Sequence, residues 1–165
     1  MIVDDHTMVR TAVCTWIKTI PEMDLVGEAV NGFEAIEKAK LYKPEVILMD
    51  LIMPKMDGIE ATRAIKKELP DTRILIVTSF TEIGRVIESV RAGASGFILK
   101  DAPLNELMDA ILAVANGKSW ISKELAVVLT DEEHNPYNGW LAEETPKYSE
   151  EDIRILNHLV KGLSE

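Results

Sequence analysis

One cysteine, Cys14, stands in 165 residues. No disulfide can form within the chain, which agrees with a reducing, cytoplasmic setting. Three scattered histidines beside that single thiol leave no soft-metal cluster of the zinc-finger kind. Cys14 itself reads as a small core residue. No apolar run approaches the roughly 18 residues that a membrane-spanning helix needs. No basic stretch followed by an apolar one opens the chain, so neither a signal peptide nor a membrane partner is expected. Positive charge is also short: 18 Lys and Arg against 28 Asp and Glu give a net charge of −10. That balance argues against a nucleic-acid surface on these residues.

What is present is an ordinary globular composition, 47% hydrophobic and 28% charged, long enough for one domain plus something small. The most informative stretch is Glu45–Gly58, EVILMDLIMPKMDG. Val46–Met49 is a short apolar run, fitting a strand buried on both faces. It stops at Asp50, and a carboxylate there is costly unless paired or metal-bound. Pro54 and Asp57-Gly58 then turn the chain into a helical pattern.

The same unit recurs along the chain. Met1–Val3 is a stub of strand, short for a central position, which suggests that its true start lies upstream. A helix follows from Met8 to Ile20, closed by Pro21. Leu25–Val30 reads as a second strand, Asn31-Gly32 as a turn, and Phe33–Ala39 as a second helix. After the Val46–Met49 strand and the Gly58–Leu69 helix come the RILIVT strand (Arg73–Thr78) and a helix through Val90 with Gly93 as its C-cap. The GFIL strand (Gly96–Leu99) precedes a helix opened near Pro103 and stopped by Asn116-Gly117. Five βα units over about 115 residues predict a parallel sheet covered on both faces.

In such a sheet all strand ends lie on one edge, where ligands bind. The first strand ends in Asp4-Asp5, the third in Asp50, the fourth in Thr78-Ser79 and the fifth in Lys100. Clustered carboxylates repel unless a cation intervenes, and oxygen donors suit a hard ion such as Mg²⁺. Lys100 supplies a positive charge for an anion, and Thr78 a hydroxyl. This set suits phosphoryl transfer, with Asp50 as nucleophile forming an aspartyl phosphate.

IVDDH (Ile2–His6), MDLIMPKMDG (Met49–Gly58), VTSF (Val77–Phe80) and GFILKD (Gly96–Asp101) together closely resemble the receiver domain of bacterial response regulators. That resemblance implies a flavodoxin-like (βα)5 doubly wound sheet of strand order 2-1-3-4-5. It implies Asp50 as phosphoacceptor, Asp4 and Asp5 as the acidic pair for Mg²⁺ (or Mn²⁺), and the Ile52 backbone carbonyl as a further ligand. It implies Thr78 as the hydroxyl that moves onto the phosphoryl group, with Ser79 beside it. Lys100 would bind the phosphate, and Phe97 would be an aromatic switch drawn inward on phosphorylation. The surface of the fourth helix, fifth strand and fifth helix would change in consequence. Many receivers carry Pro directly after the lysine; Asp101 stands here, so no cis X-Pro bond is expected at that corner.

Lys100-Asp101-Ala102-Pro103 and the tail YSEEDIRILNHLVKGLSE resemble the NarL/FixJ subfamily, whose output is a LuxR-type helix-turn-helix. The expected organisation is a receiver at 1–120, a capping helix and linker at 121–147, and the first part of a truncated LuxR-type domain at 148–165. Its DNA-reading helix would lie beyond Glu165. The implied partners are a sensor histidine kinase, a second copy on phosphorylation, and DNA through the complete C-terminal domain. The chain is expected to be no enzyme, with self-catalysed phosphorylation and dephosphorylation at most. A single-domain receiver that docks on proteins is one rival. A haloacid-dehalogenase-like hydrolase is another, but it would need Asp where Ile52 stands. His6 reads as a site-edge residue, Arg85 and Arg91 as a solvated helix face, and Leu112 as a better interface candidate than Trp16 or Ile17.

Overall fold

The structure, a computed structural model, describes residues 1–79, 82–123, 126–127, 151 and 154. Among the described residues, six parallel strands alternate with five helices. The strands are β1 (Ile2–Val3), β2 (Glu28–Ala29), β3 (Val46–Met49), β4 (Arg73–Thr78), β5 (Gly96–Leu99) and β6 (Trp120–Ile121). The helices are α1 (Thr7–Ile17), α2 (Gly32–Tyr42), α3 (Gly58–Glu68), α4 (Ile83–Ala92) and α5 (Leu104–Ala115). The sheet order is β2-β1-β3-β4-β5-β6, so the chain reverses direction across the sheet between β1 and β3.

Alternation along the strands splits the core in two. Val3, Ile47, Met49, Ile74, Ile76 and Phe97 face α2, α3 and α4, where Ala35, Ala39, Ile59, Ile65 and Val86 meet them. Ile2, Leu48, Leu75 and Ile98 face α1 and α5, against Cys14, Ile17, Leu107, Ile111 and Val114. Both faces are apolar, which is why these strands read as unbroken hydrophobic runs.

Three boundaries differ from expectation. β2 is two residues, because it pairs only where β1 offers a partner, Ile2 with Glu28 and Val3 with Ala29. α1 stops at Ile17 rather than Ile20, and the Thr19 hydroxyl donates to the Trp16 carbonyl at 2.7 Å in the turn that follows. A sixth strand, β6, pairs with β5 and runs across the expected boundary at residue 120. Ile17 is buried and Leu112 is 45% exposed, which leaves Leu112 as the surface residue of that pair. Beyond β6, Lys123, Ala126 and Val127 are helical, as are Glu151 and Arg154. The rest of the expected linker and C-terminal segment lies outside the described residues, as does Phe80.

Candidate functional site

Every strand end named from the sequence reaches the same edge. Asp4 follows β1 and Asp50 follows β3; they are 6% and 4% exposed. Lys100, directly after β5, joins them: its Nζ lies 2.8 Å from Asp50 Oδ2 and 2.8 Å from Asp4 Oδ2. Thr78 is fully buried at the end of β4, and its carbonyl accepts the Lys100 N–H at 2.9 Å. Ser79, the next residue, is exposed.

Burial pushes the Asp50 carboxyl above its usual range, the Lys100 hydrogen bond and charge oppose that shift, and Asp4 adds to it. For Lys100 burial works against the charge, but the hydrogen bonds and fields of Asp4 and Asp50 together outweigh it and raise its pKa. One ammonium thus serves two carboxylates, and Asp5 adds a third negative group.

The acidic turn is held by its own chain. The His6 N–H donates to Asp4 Oδ1 at 2.8 Å, and Arg10 Nη1 donates to the Asp4 carbonyl at 2.8 Å while its Nε lies 3.4 Å from Glu28. His6 Nδ1 stands 3.1 Å from Asp5 Oδ1 without hydrogen-bond geometry. Asp5 Oδ1 is buried and has no hydrogen-bond partner among the described residues. One ligand atom each from Asp4, Asp5, His6 and Asp50 fall within 4.8 Å of one another. An orphaned carboxylate oxygen among hard oxygen donors fits a divalent cation, and this Asp-rich group could hold one.

The loop after β3 shapes the other wall. The Ile52 N–H lies 3.4 Å from Asp50 Oδ1, and the Ile52 side chain is 40% exposed. Gly58, at the start of α3, packs on the backbone of Asp50 so closely that a Cβ there would lie 2.1 Å from the Asp50 carbonyl oxygen. Its N–H donates to the Leu51 carbonyl at 2.9 Å.

Phe97 lies in the core below the site, 1% exposed. The expectation that phosphorylation draws it inward meets a ring that is already inside, so no inward travel is left to it in this conformation. Arg85 is less free than a solvated face implies: its Nη1 is 3.8 Å from Asp57, the N-cap of α3. All described peptide bonds are trans, including those around Lys100-Asp101.

Two residues that shape the site went unrecognised in the sequence. In the sequence Gly58 signals a turn and a helix start, and only the fold brings it against Asp50. Arg10 resembles any charged residue on an amphipathic helix. Its one signal is position, a turn after Asp4-Asp5 on the helix that those acids introduce.

Comparison with known proteins places this geometry. The family model described as the response regulator receiver domain matches residues 1–112. The response regulator protein VraR of Staphylococcus aureus is 37% identical over 164 residues, covering 99% of this chain and 76% of the relative. A two-component response regulator of the LuxR family from Aurantimonas sp. superposes with a TM-score of 0.73 at 36% identity, over 76% of this chain and 90% of that one. The response regulator ChrA of a heme-sensing two-component system gives 0.66 at 30% identity, over 98% and 74%.

Proposed function

The chain belongs to the response regulator receiver family, and on that premise we propose that Asp50 is its phosphoacceptor, loaded by a sensor histidine kinase in the presence of Mg²⁺ or Mn²⁺. The observation that carries the reading is the Lys100 ammonium, 2.8 Å from both Asp4 and Asp50 at the strand ends. It opposes the upward push of burial on the Asp50 carboxyl and supplies a cation where a phosphoryl group would arrive.

An Asp50 carboxylate oxygen attacks phosphorus of a phosphohistidine. The P–N bond breaks, the imidazole leaves with the bonding pair and takes a proton from solvent, and Asp50 carries the acyl phosphate. Asp5 and Asp50 carboxylates and the Ile52 carbonyl, with Asp4 beside them, would hold the divalent ion, which neutralises charge on the transferring oxygens. Lys100 then exchanges its contact with Asp50 for a phosphoryl oxygen, and the Thr78 hydroxyl, backed by Ser79, turns toward another. The charge added at Asp50 shifts the population of the surface formed by α4, β5 and α5.

The chain acts on its own aspartate and turns over no external substrate. Its output is dimerisation and, through a LuxR-type domain, DNA binding. Mass spectrometry after incubation with acetyl phosphate and Mg²⁺ tests the central step. The wild type gains one phosphoryl mass and Asp50→Ala gains none; a phosphorylated Asp50→Ala variant sinks the reading.

A further inference from the structure

His6 holds the N-cap position of α1, yet its side chain makes no capping bond to the helix. A side chain at that place ordinarily satisfies free N–H groups of the first turn. The imidazole lies beside the two acids instead. Its Nδ1 is 3.1 Å from Asp5 Oδ1 and 3.3 Å from Asp4 Oδ1. The backbone fixes the residue in place: the His6 N–H donates to Asp4 Oδ1 at 2.8 Å, and the His6 carbonyl accepts the Arg10 N–H at 3.0 Å.

The carboxylate oxygens divide between two partners. Asp4 Oδ2 and Asp50 Oδ2 each lie 2.8 Å from Lys100 Nζ. Asp4 Oδ1 and Asp5 Oδ1 lie beside the imidazole, and Asp50 Oδ1 has the Ile52 N–H at 3.4 Å. One ligand atom from each of Asp4, Asp5, His6 and Asp50 falls within 4.8 Å of the others.

The separations suit a small ion. Donors bound at about 2.0–2.2 Å sit roughly 2.9–3.5 Å apart along the edges of an octahedron or a tetrahedron. Both imidazole contacts fall in that range. A His–Asp ion pair would fall there too, but it would give Asp5 Oδ1 a hydrogen bond, and that buried oxygen has none among the described residues. Two donor atoms side by side without a hydrogen bond are arranged as ligands are.

The donor types say which ion gains. Mg²⁺ takes oxygens and keeps waters, so an imidazole adds little to its binding. Co²⁺, Ni²⁺ and Zn²⁺ rank above Mn²⁺ on a shared set of donors, and imidazole suits such ions. On the reading of these acids as a divalent-ion site, we propose that His6 is a nitrogen ligand within it and biases it toward borderline ions of the later first transition row over Mg²⁺. Such an ion and Mg²⁺ exclude each other, because both need Asp5 and Asp50. The side chain is 65% exposed, so an ion reaches it from solvent.

The full chain titrated with Co²⁺ alone and with Mg²⁺ alone, at one neutral pH and without a phosphoryl donor, tests this. Calorimetry gives both affinities. The proton NMR spectrum of the Co²⁺ form gives a signature of ligation, an exchangeable imidazole N–H moved far outside its normal range by the paramagnetic ion. The wild type should bind Co²⁺ more tightly than Mg²⁺ and show that proton. His6→Ala and His6→Gln should each lower the Co²⁺-to-Mg²⁺ affinity ratio by about tenfold or more, since even a residue that only supports a ligand is worth that much. Both should lose the shifted proton, although two other histidines remain in the chain. A ratio unchanged in both variants overturns the proposal and leaves His6 an ion-pair partner of the two acids. A Co²⁺ form of the wild type without the shifted proton overturns it equally. Acetyl phosphate with Mg²⁺ reads Asp50 separately: phosphoryl mass gained while the ratio stays flat sinks only the His6 assignment, and a falling ratio without phosphoryl mass sinks only the role of Asp50.

Discussion

Asp5 Oδ1 is buried, lacks a hydrogen bond and sits a few ångströms from Asp4 and Asp50, so it is held against its own electrostatics. Asp5→Asn removes one negative charge from a cluster that a single ammonium serves. Relief of that like-charge repulsion should stabilise the metal-free protein. The wild type at a Mg²⁺ concentration tenfold above Kd should gain about 1.4 kcal/mol, and the variant should lose that gain. Thermal melts with and without Mg²⁺ check both halves, and a variant that still responds to Mg²⁺ counts against Asp5 as a ligand. Cys14 shows the same logic in a group with no site role. Burial first, and Glu28 second, push its thiol from 9.0 up to about 11. The folded pKa exceeds the unfolded one, so the stabilisation is complete below about pH 9 and is lost as pH rises through 11. Urea midpoints of the wild type should fall over that window more steeply than those of Cys14→Ala, with the difference absent at pH 8.

Elements were legible where their apolar pattern was long and opaque where pairing alone defines them. RILIVT and VILM announced β4 and β3 because both faces are covered and their central residues are apolar. The weak alternation of Leu25–Val30 marks a strand but not its extent, since only Glu28–Ala29 pair with β1; Trp120–Ile121 has no period to read and is a strand only because β5 offers two residues of backbone. The convergence of Asp4, Asp50, Thr78 and Lys100 was legible because a parallel sheet sends all its strand ends to one edge. The contact between Gly58 and the Asp50 carbonyl was not, since it depends on how α3 leaves the loop. That exit is fixed by a cap: Asp57 Oδ1 accepts from the Ile59 and Glu60 N–H groups, each at 2.9 Å. Asp57→Ala should cost about 1 kcal/mol, read from the urea midpoint. Because Gly58 N–H also fixes Leu51, beside Asp50, the variant should be phosphorylated by acetyl phosphate more slowly than wild type at a temperature where both are folded. Asp57→Asn, which keeps a capping oxygen, should restore most of both. An unchanged rate in Asp57→Ala would separate the α3 cap from the site.

At the scale of the whole molecule, charge sets the terms of assembly. Each chain carries a net −10, and a phosphoryl group adds roughly −1.5 to −2 more at pH 7. Pairing of two phosphorylated copies, as proposed, would run against that repulsion, so it needs enough complementary surface to overcome it. Exposed Leu112 on α5 is one apolar element available for such a contact. The repulsion is long-range and screened, with a Debye length of about 30 Å at 0.01 M salt and about 8 Å at 0.15 M, whereas apolar burial is not weakened by added salt. Dimerisation of the phosphorylated chain should therefore tighten as salt rises from about 0.01 to 0.15 M, the reverse of an interface held by ion pairs. Sedimentation equilibrium in the presence of acetyl phosphate and Mg²⁺ reads this directly, with Asp50→Ala as the unphosphorylated reference. Leu112→Glu should weaken the dimer at every salt concentration if α5 contributes to it. A dimer that loosens on adding salt would mean that pairing between opposite charges outweighs the repulsion of the two acidic bodies, and would move the interface away from Leu112 on α5.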